Sequence, residues 1–119
     1  MLANYPFPVY LEDRTSVQIT DAERAFARLV HETRFGTIEN IRLSGGQPVI
    51  DDNTEIATEY RLSGMEPARE VMTDDEYLSK PQVRSMFERF KLVREGTVQN
   101  LDIRDGLPFK MTVRRSVKM

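Results

Sequence analysis

Arg34-Phe35-Gly36-Thr37-Ile38-Glu39-Asn40-Ile41 returns sixty residues later, without a gap, as Arg94-Glu95-Gly96-Thr97-Val98-Gln99-Asn100-Leu101. At the same offset, Gly45-Gly46-Gln47-Pro48-Val49 aligns with Asp105-Gly106-Leu107-Pro108-Phe109. Arg34/Arg94, Gly36/Gly96, Thr37/Thr97, Asn40/Asn100, Gly46/Gly106 and Pro48/Pro108 are identical pairs. Ile38/Val98, Ile41/Leu101 and Leu43/Ile103 keep apolar character. Glycine and proline held in step across such a stretch indicate two copies of one supersecondary unit.

Upstream of each quoted stretch lies a helical pattern. Thr20-Asp21-Ala22-Glu23 is a capping box, and Ala22, Ala25, Phe26, Leu29 and Val30 recur at helical spacing. Ser79-Lys80-Pro81-Gln82 reads as the same device, with Leu78 and Val83 placed as a hydrophobic staple. Its stripe is Val83, Met86, Phe87, Phe90 and Val93, which assigns both phenylalanines to a core rather than to a stacking platform. Arg34 and Arg94 fall in the last turns, where a cation suits the carbonyl end of the helix dipole, and Gly36 and Gly96 read as cap glycines.

Downstream come strands with a slip in phase. Ile38 and Ile41 are three apart, as are Val98 and Leu101, while Ile41/Leu43 and Leu101/Ile103 alternate. A β-bulge at Asn40 and at Asn100 would produce that slip. Turns follow at Ser44-Gly45-Gly46 and Arg104-Asp105-Gly106. The second returning strand alternates from Phe109 through Met111, Val113 and Val117 to Met119, flawed at Arg115. The first is interrupted at Asp51-Asp52-Asn53, read as a bulge or inserted turn, and resumes as Ile56, Thr58, Tyr60 and Leu62.

One domain of 119 residues follows: an extended arm at 1–19, a first helix–hairpin repeat at 20–62, a linker at 63–78, and a second repeat at 79–119. The arm carries Tyr5, Phe7, Tyr10 and Leu11 among two prolines; the linker holds Gly64, Pro67 and a helix-start signal at Thr73-Asp74-Asp75-Glu76. A unit of this size buries too little surface alone. The expected fold is therefore α+β: the repeats paired about a pseudo-twofold axis in a four-stranded antiparallel sheet, with two helices on one face.

The helix, Arg34-Phe35-Gly36-Thr37-Ile38-Glu39 and the glycine turn at Gly46 resemble the YezD-like family of short bacterial proteins, in which a helix leads through an aromatic-Gly-Ser/Thr step into a β-hairpin. The likeness spans residues 22 to 50 and returns more faintly at 82 to 113, where Glu95 replaces the aromatic. It implies a small unit able to pair with itself, here in tandem; it brings no activity, cofactor or catalytic residue.

Composition narrows the chemistry. There is no cysteine, so no thiolate site or disulfide, and with His31 alone no multi-histidine metal site forms within one chain. No apolar run is long enough to span a bilayer and the N-terminus lacks a secretory pattern, so a soluble cytoplasmic protein without a membrane partner is expected. Asp51, Asn53 and Glu55 alternate as oxygen ligands but lack the glycine and distal glutamate of a calcium loop, so they read as a solvated turn. His31 lies opposite the apolar stripe and reads as an exposed histidine; no phosphate loop or Gly-x-Ser-x-Gly motif occurs. No cofactor is expected.

The net charge of −2 conceals a division: residues 1–79 carry 7 basic and 15 acidic side chains, and residues 80–119 carry 10 and 4. Lys110, Arg114 and Lys118, with Arg104 and Arg115, could form a cationic strip for nucleic acid or a protein partner. The competing reading is internal, with Glu55 and Glu59 at the same strand phase offsetting the cations across the sheet. The six identical pairs all serve the backbone, and none is an obvious acid, base or nucleophile. The expectation is a non-enzymatic module that binds a protein or itself through an open sheet face or strand edge. The alternatives are nucleic-acid binding through the basic strand, and a ligand-binding or enzymatic cleft gathering His31, Tyr60 or Arg34.

Overall fold

The computed structural model describes residues 19–63 and 71–117. The aromatic arm, Lys118 and Met119, and the Gly64 and Pro67 part of the linker lie outside the described residues. The element order is α1 (Asp21–Thr33), β1 (Gly36–Ser44), β2 (Gln47–Val49), β3 (Glu55–Thr58), α2 (Asp74–Leu78), α3 (Pro81–Val93), β4 (Gly96–Arg104) and β5 (Leu107–Arg114). The class is α+β, with an antiparallel sheet of five strands and three helices among the described residues.

The fifth strand and third helix have local causes. Asp51 to Thr54 form a turn that divides the first returning strand into β2 and β3, both paired to β1. The Asp51 side chain accepts from the Asn53 amide at 2.9 Å, and the Thr54 hydroxyl donates to the Asn40 carbonyl at 2.9 Å. In the linker, Thr73 and Glu76 close a capping box that starts α2. Ser79, expected to begin the next helix, instead donates to the Glu76 carbonyl at the end of α2. The cap of α3 is Lys80, with no side-chain bond, followed by Pro81 in the first turn.

Sheet order is β2-β1-β4-β5, with β3 also on β1. At the centre Ile38 faces Leu101 and Ile41 faces Val98; Gly36 faces Ile103 and Leu43 faces Gly96. These strand side chains form one core with Phe26, Ala27 and Val30 of α1, Tyr77 and Leu78 of α2, and Val83, Met86, Phe87 and Phe90 of α3. The phase slip is real, since Ile38, Ile41, Leu43, Val98, Leu101 and Ile103 are all buried. Asn40 makes the slip with φ of 63°, and β4 makes it by a register shift between Val98 and Asn100.

Both helices end differently from expectation. The residue with left-handed φ at each helix end is the arginine, at 65° for Arg34 and 68° for Arg94, each the centre of a γ-turn; Gly36 also takes positive φ, 152°, and Gly96 does not. The Phe35 amide donates to the Thr33 carbonyl at 2.7 Å and the Glu95 amide to the Val93 carbonyl at 2.8 Å. The arginine carbonyls then accept across the molecule, Arg94 from the Gly46 amide at 2.9 Å and Arg34 from the Gly106 amide at 2.8 Å. The β1–β2 turn thereby satisfies a carbonyl at the end of α3, and the β4–β5 turn one at the end of α1. Gly36 serves close approach: a Cβ there would lie 2.0 Å from the Ala57 carbonyl oxygen.

Two further expectations are corrected. The inward face of α1 is Glu23, Phe26, Ala27, Val30 and Thr33, while Ala22 and Ala25 are exposed. Glu23 turns inward because the Thr20 amide (3.0 Å) and the Gln47 side-chain amide (3.2 Å) donate to its carboxylate. The returning strands are shorter than their alternation, ending at Thr58 and at Arg114, which leaves Tyr60, Leu62 and Val117 exposed.

Candidate functional site

In antiparallel pairs, facing residues project to the same side. The side away from the helices therefore carries Thr37 with Asp102, Glu39 with Asn100, and Arg42 with Thr97. Across β5 it adds Lys110 beside Asp102, Thr112 beside Asn100, and Arg114 beside Thr97. This face, uncovered among the described residues, is polar throughout its centre.

The Asp51–Thr54 turn folds over one end of that face. The Asn40 side chain donates to the Asn53 carbonyl at 3.2 Å, and the Asp51 amide donates to the Thr54 hydroxyl at 3.0 Å. The result is a concavity of about 520 Å³, lined among others by Asn40, Arg42, Asp51, Glu55, Thr97 and Arg114. It presents two guanidiniums, carboxylates, amides and a threonine hydroxyl, without imidazole, phenol or amine. Such a lining suits hydrogen bonding and ion pairing with a polar partner. Among the described residues, no group of three or more His, Asp or Glu side chains could hold a metal ion.

The predicted cationic strip is divided. Lys110 and Arg114 share the uncovered face, where Lys110 pairs with Asp102 at 3.8 Å and Arg114 lines the concavity. Arg104 stacks over the Phe109 ring, 4.3 Å from its centroid. Arg115 is exposed beyond β5, and Lys118 lies outside the described residues. The proposed offset by Glu55 and Glu59 takes a different form: β1 and β4 separate β3 from β5, so Glu55 faces Glu39 and Lys110 faces Asp102.

Of the alternative cleft residues, His31 and Arg34 both meet the Asp105–Gly106 turn, while Tyr60 lies exposed beyond β3. His31 is half-buried rather than exposed, its ring stacked on Tyr77 at 4.4 Å and packed against Gly106. The Tyr77 hydroxyl donates to the Gly106 carbonyl at 2.6 Å, and burial pushes this phenol above its ordinary range. Arg34 contacts Asp105 at 3.5 Å, and Tyr60 is 72% exposed. Asp74 accepts from Arg28 at 2.6 Å, a bond that holds its carboxyl below the usual value and ties α2 to α1.

On the helix side, a smaller groove of about 120 Å³ runs between α3 and β5, lined by Met86, Arg89, Pro108, Phe109, Lys110 and Met111 among others. Phe109 is 56% exposed there, and β5 pairs with β4 alone among the described residues. Sequence reasoning singled out neither Arg42 nor Thr97 at the concavity, nor Arg89 at the groove. Outward alternation marks the first two as surface positions, but only the relative placement of α3 and β5 identifies the third. No family model, curated protein or solved structure matches the chain.

Proposed function

We propose that this chain is a non-enzymatic binding module, built from two copies of one helix–hairpin unit closed about a pseudo-twofold axis between β1 and β4. Three observations support the duplication. The β1–β4 register sets Ile38 against Leu101 and Ile41 against Val98, so each of the two isoleucines faces the residue that stands sixty positions after the other. The inward positions of α1 recur sixty residues on as Val83, Met86, Phe87, Phe90 and Val93. The bonds from Gly46 to Arg94 and from Gly106 to Arg34 are reciprocal. This reading extends the likeness to YezD-like proteins: a unit suited to self-pairing has its mate supplied in the same chain.

The observation that carries the binding assignment is the uncovered sheet side, a polar face with a mixed-charge concavity and β5 at its margin. The residues shared by both copies set the backbone, which favours a scaffold over a duplicated reaction centre. The test is an amide NMR titration of the full chain with DNA, RNA and peptides of either charge, beside a concentration series of native mass. The expected result is saturable shifts in β1, β4, β5 and the 51–54 turn. Shifts centred on the outer surfaces of α1 and α3 would overturn it. Salt-sensitive retention of DNA or RNA, lost in Arg114→Ala with Lys118→Ala while the fold persists, would make the partner nucleic acid.

A further inference from the structure

We propose that the outer edge of β5, with the groove beside α3, takes up one extended acidic peptide segment of a partner protein by strand addition; this rests on the binding-module reading and names its partner class. The edge supplies the ladder. β5 is an eight-residue strand whose only pairing among the described residues is to β4, so its outer amides and carbonyls face away from the sheet. Beyond the irregularity between Asp102 and Ile103 in the β4–β5 register, Lys110 to Arg114 pair with β4 residue by residue except where β4 carries the additional Gln99, so β5 itself runs on without an extra residue where a guest strand would dock.

The groove supplies an anchor. Met86 from α3 and Pro108, Phe109 and Met111 from β5 line a hollow of about 120 Å³, the scale of one apolar side chain, with Arg89 and Lys110 also in its lining and the Lys110 ammonium turned to Asp102 on the opposite face. Alternate residues of an added strand point to the same side, so one apolar residue enters here while its neighbours project to the opposite side.

Charge selects the guest. Residues 80–119 carry 10 basic and 4 acidic side chains, and Lys110, Arg114 and Arg115 lie on or just beyond this edge with Arg89 alongside. A second copy of β5 would bring like charges together, the arrangement by which edge strands resist pairing with themselves. The acidic margin of a neighbouring molecule is no better suited, because β2 and β3 have three and four residues and a turn between them. A segment alternating acidic and apolar residues meets the ladder, the hollow and the cations together.

The test uses the full chain and a fluorescein-labelled peptide of alternating valine and glutamate, followed by anisotropy and amide NMR. Saturable binding is expected, with shifts concentrated at Lys110–Arg114 and affinity falling about tenfold from low to physiological salt. Arg89→Glu with Lys110→Glu should weaken binding about tenfold or more at unchanged circular dichroism, both side chains being exposed. Absence of saturable binding, shifts confined to the concavity, equal binding of a valine–lysine peptide, or rising native mass with concentration would each overturn the proposal. Binding of RNA or DNA on the uncovered face without peptide binding would overturn it while leaving the binding module standing.

Discussion

Tyr77 shows how much one side chain can organise. Its ring stacks on His31 of α1, and its hydroxyl bonds the Gly106 carbonyl in the second hairpin turn. A residue of α2 thus joins α1 to the β4–β5 turn. Burial raises its phenol above the ordinary value of 10.0, so the unfolded chain releases this proton near that pH while the folded chain retains it. Its contribution to stability is whole below that pH and is lost as pH rises beyond it. Tyr77→Phe should therefore flatten the alkaline limb of a stability–pH profile. At neutral pH the variant should cost about 1–3 kcal/mol, because the Gly106 carbonyl loses a buried donor. Urea unfolding across pH measures both; a wild-type-like alkaline decline in the variant would refute the assignment.

Among the elements, α1 and α3 pose one problem with two chemical answers. The first inward position is Glu23 in α1 and Val83 in α3; the hairpin position twenty-four residues on is Gln47 after α1 and Leu107 after α3. Glu23 and Gln47 share a hydrogen bond at 3.2 Å, whereas Val83 belongs to the core and Leu107 packs against it. Glu23→Val alone strands the Thr20 amide and the Gln47 side chain, at a cost of about 1–3 kcal/mol. Adding Gln47→Leu should recover part of that loss, with a coupling of about 0.5–3 kcal/mol in chemical denaturation; strict additivity would show the pair to be independent. The same pair explains what the sequence could disclose. The stripe of α3 was legible because every inward residue is large and apolar, but in α1 Ala22 and Ala25 mimicked a core face while the buried position is a carboxylate. The γ-turns at Arg34 and Arg94 were illegible, since arginine seldom marks positive φ and the compensating bonds come from the distant Gly46 and Gly106. Alternation exposed the polar sheet face, whereas the concavity and groove depend on how the inserted turn and α3 lie across it.

At the scale of the molecule, the reciprocal turn-to-helix bonds and the β1–β4 pairing leave neither helix–hairpin segment with an interior of its own. Leu101, fully buried opposite Ile38, tests this. Leu101→Ala should cost about 2–5 kcal/mol and reduce amide exchange protection in α1 as much as in α3, within one unfolding transition. Two separable transitions would contradict a shared interior. The inserted turn between β2 and β3 has an effect at the same scale. A fused pair of identical units would offer equal margins left and right and could extend end to end into a filament. One margin is broken into strands of three and four residues while β5 keeps eight, so under the proposed strand addition the molecule would be monovalent, with one long edge for a single guest.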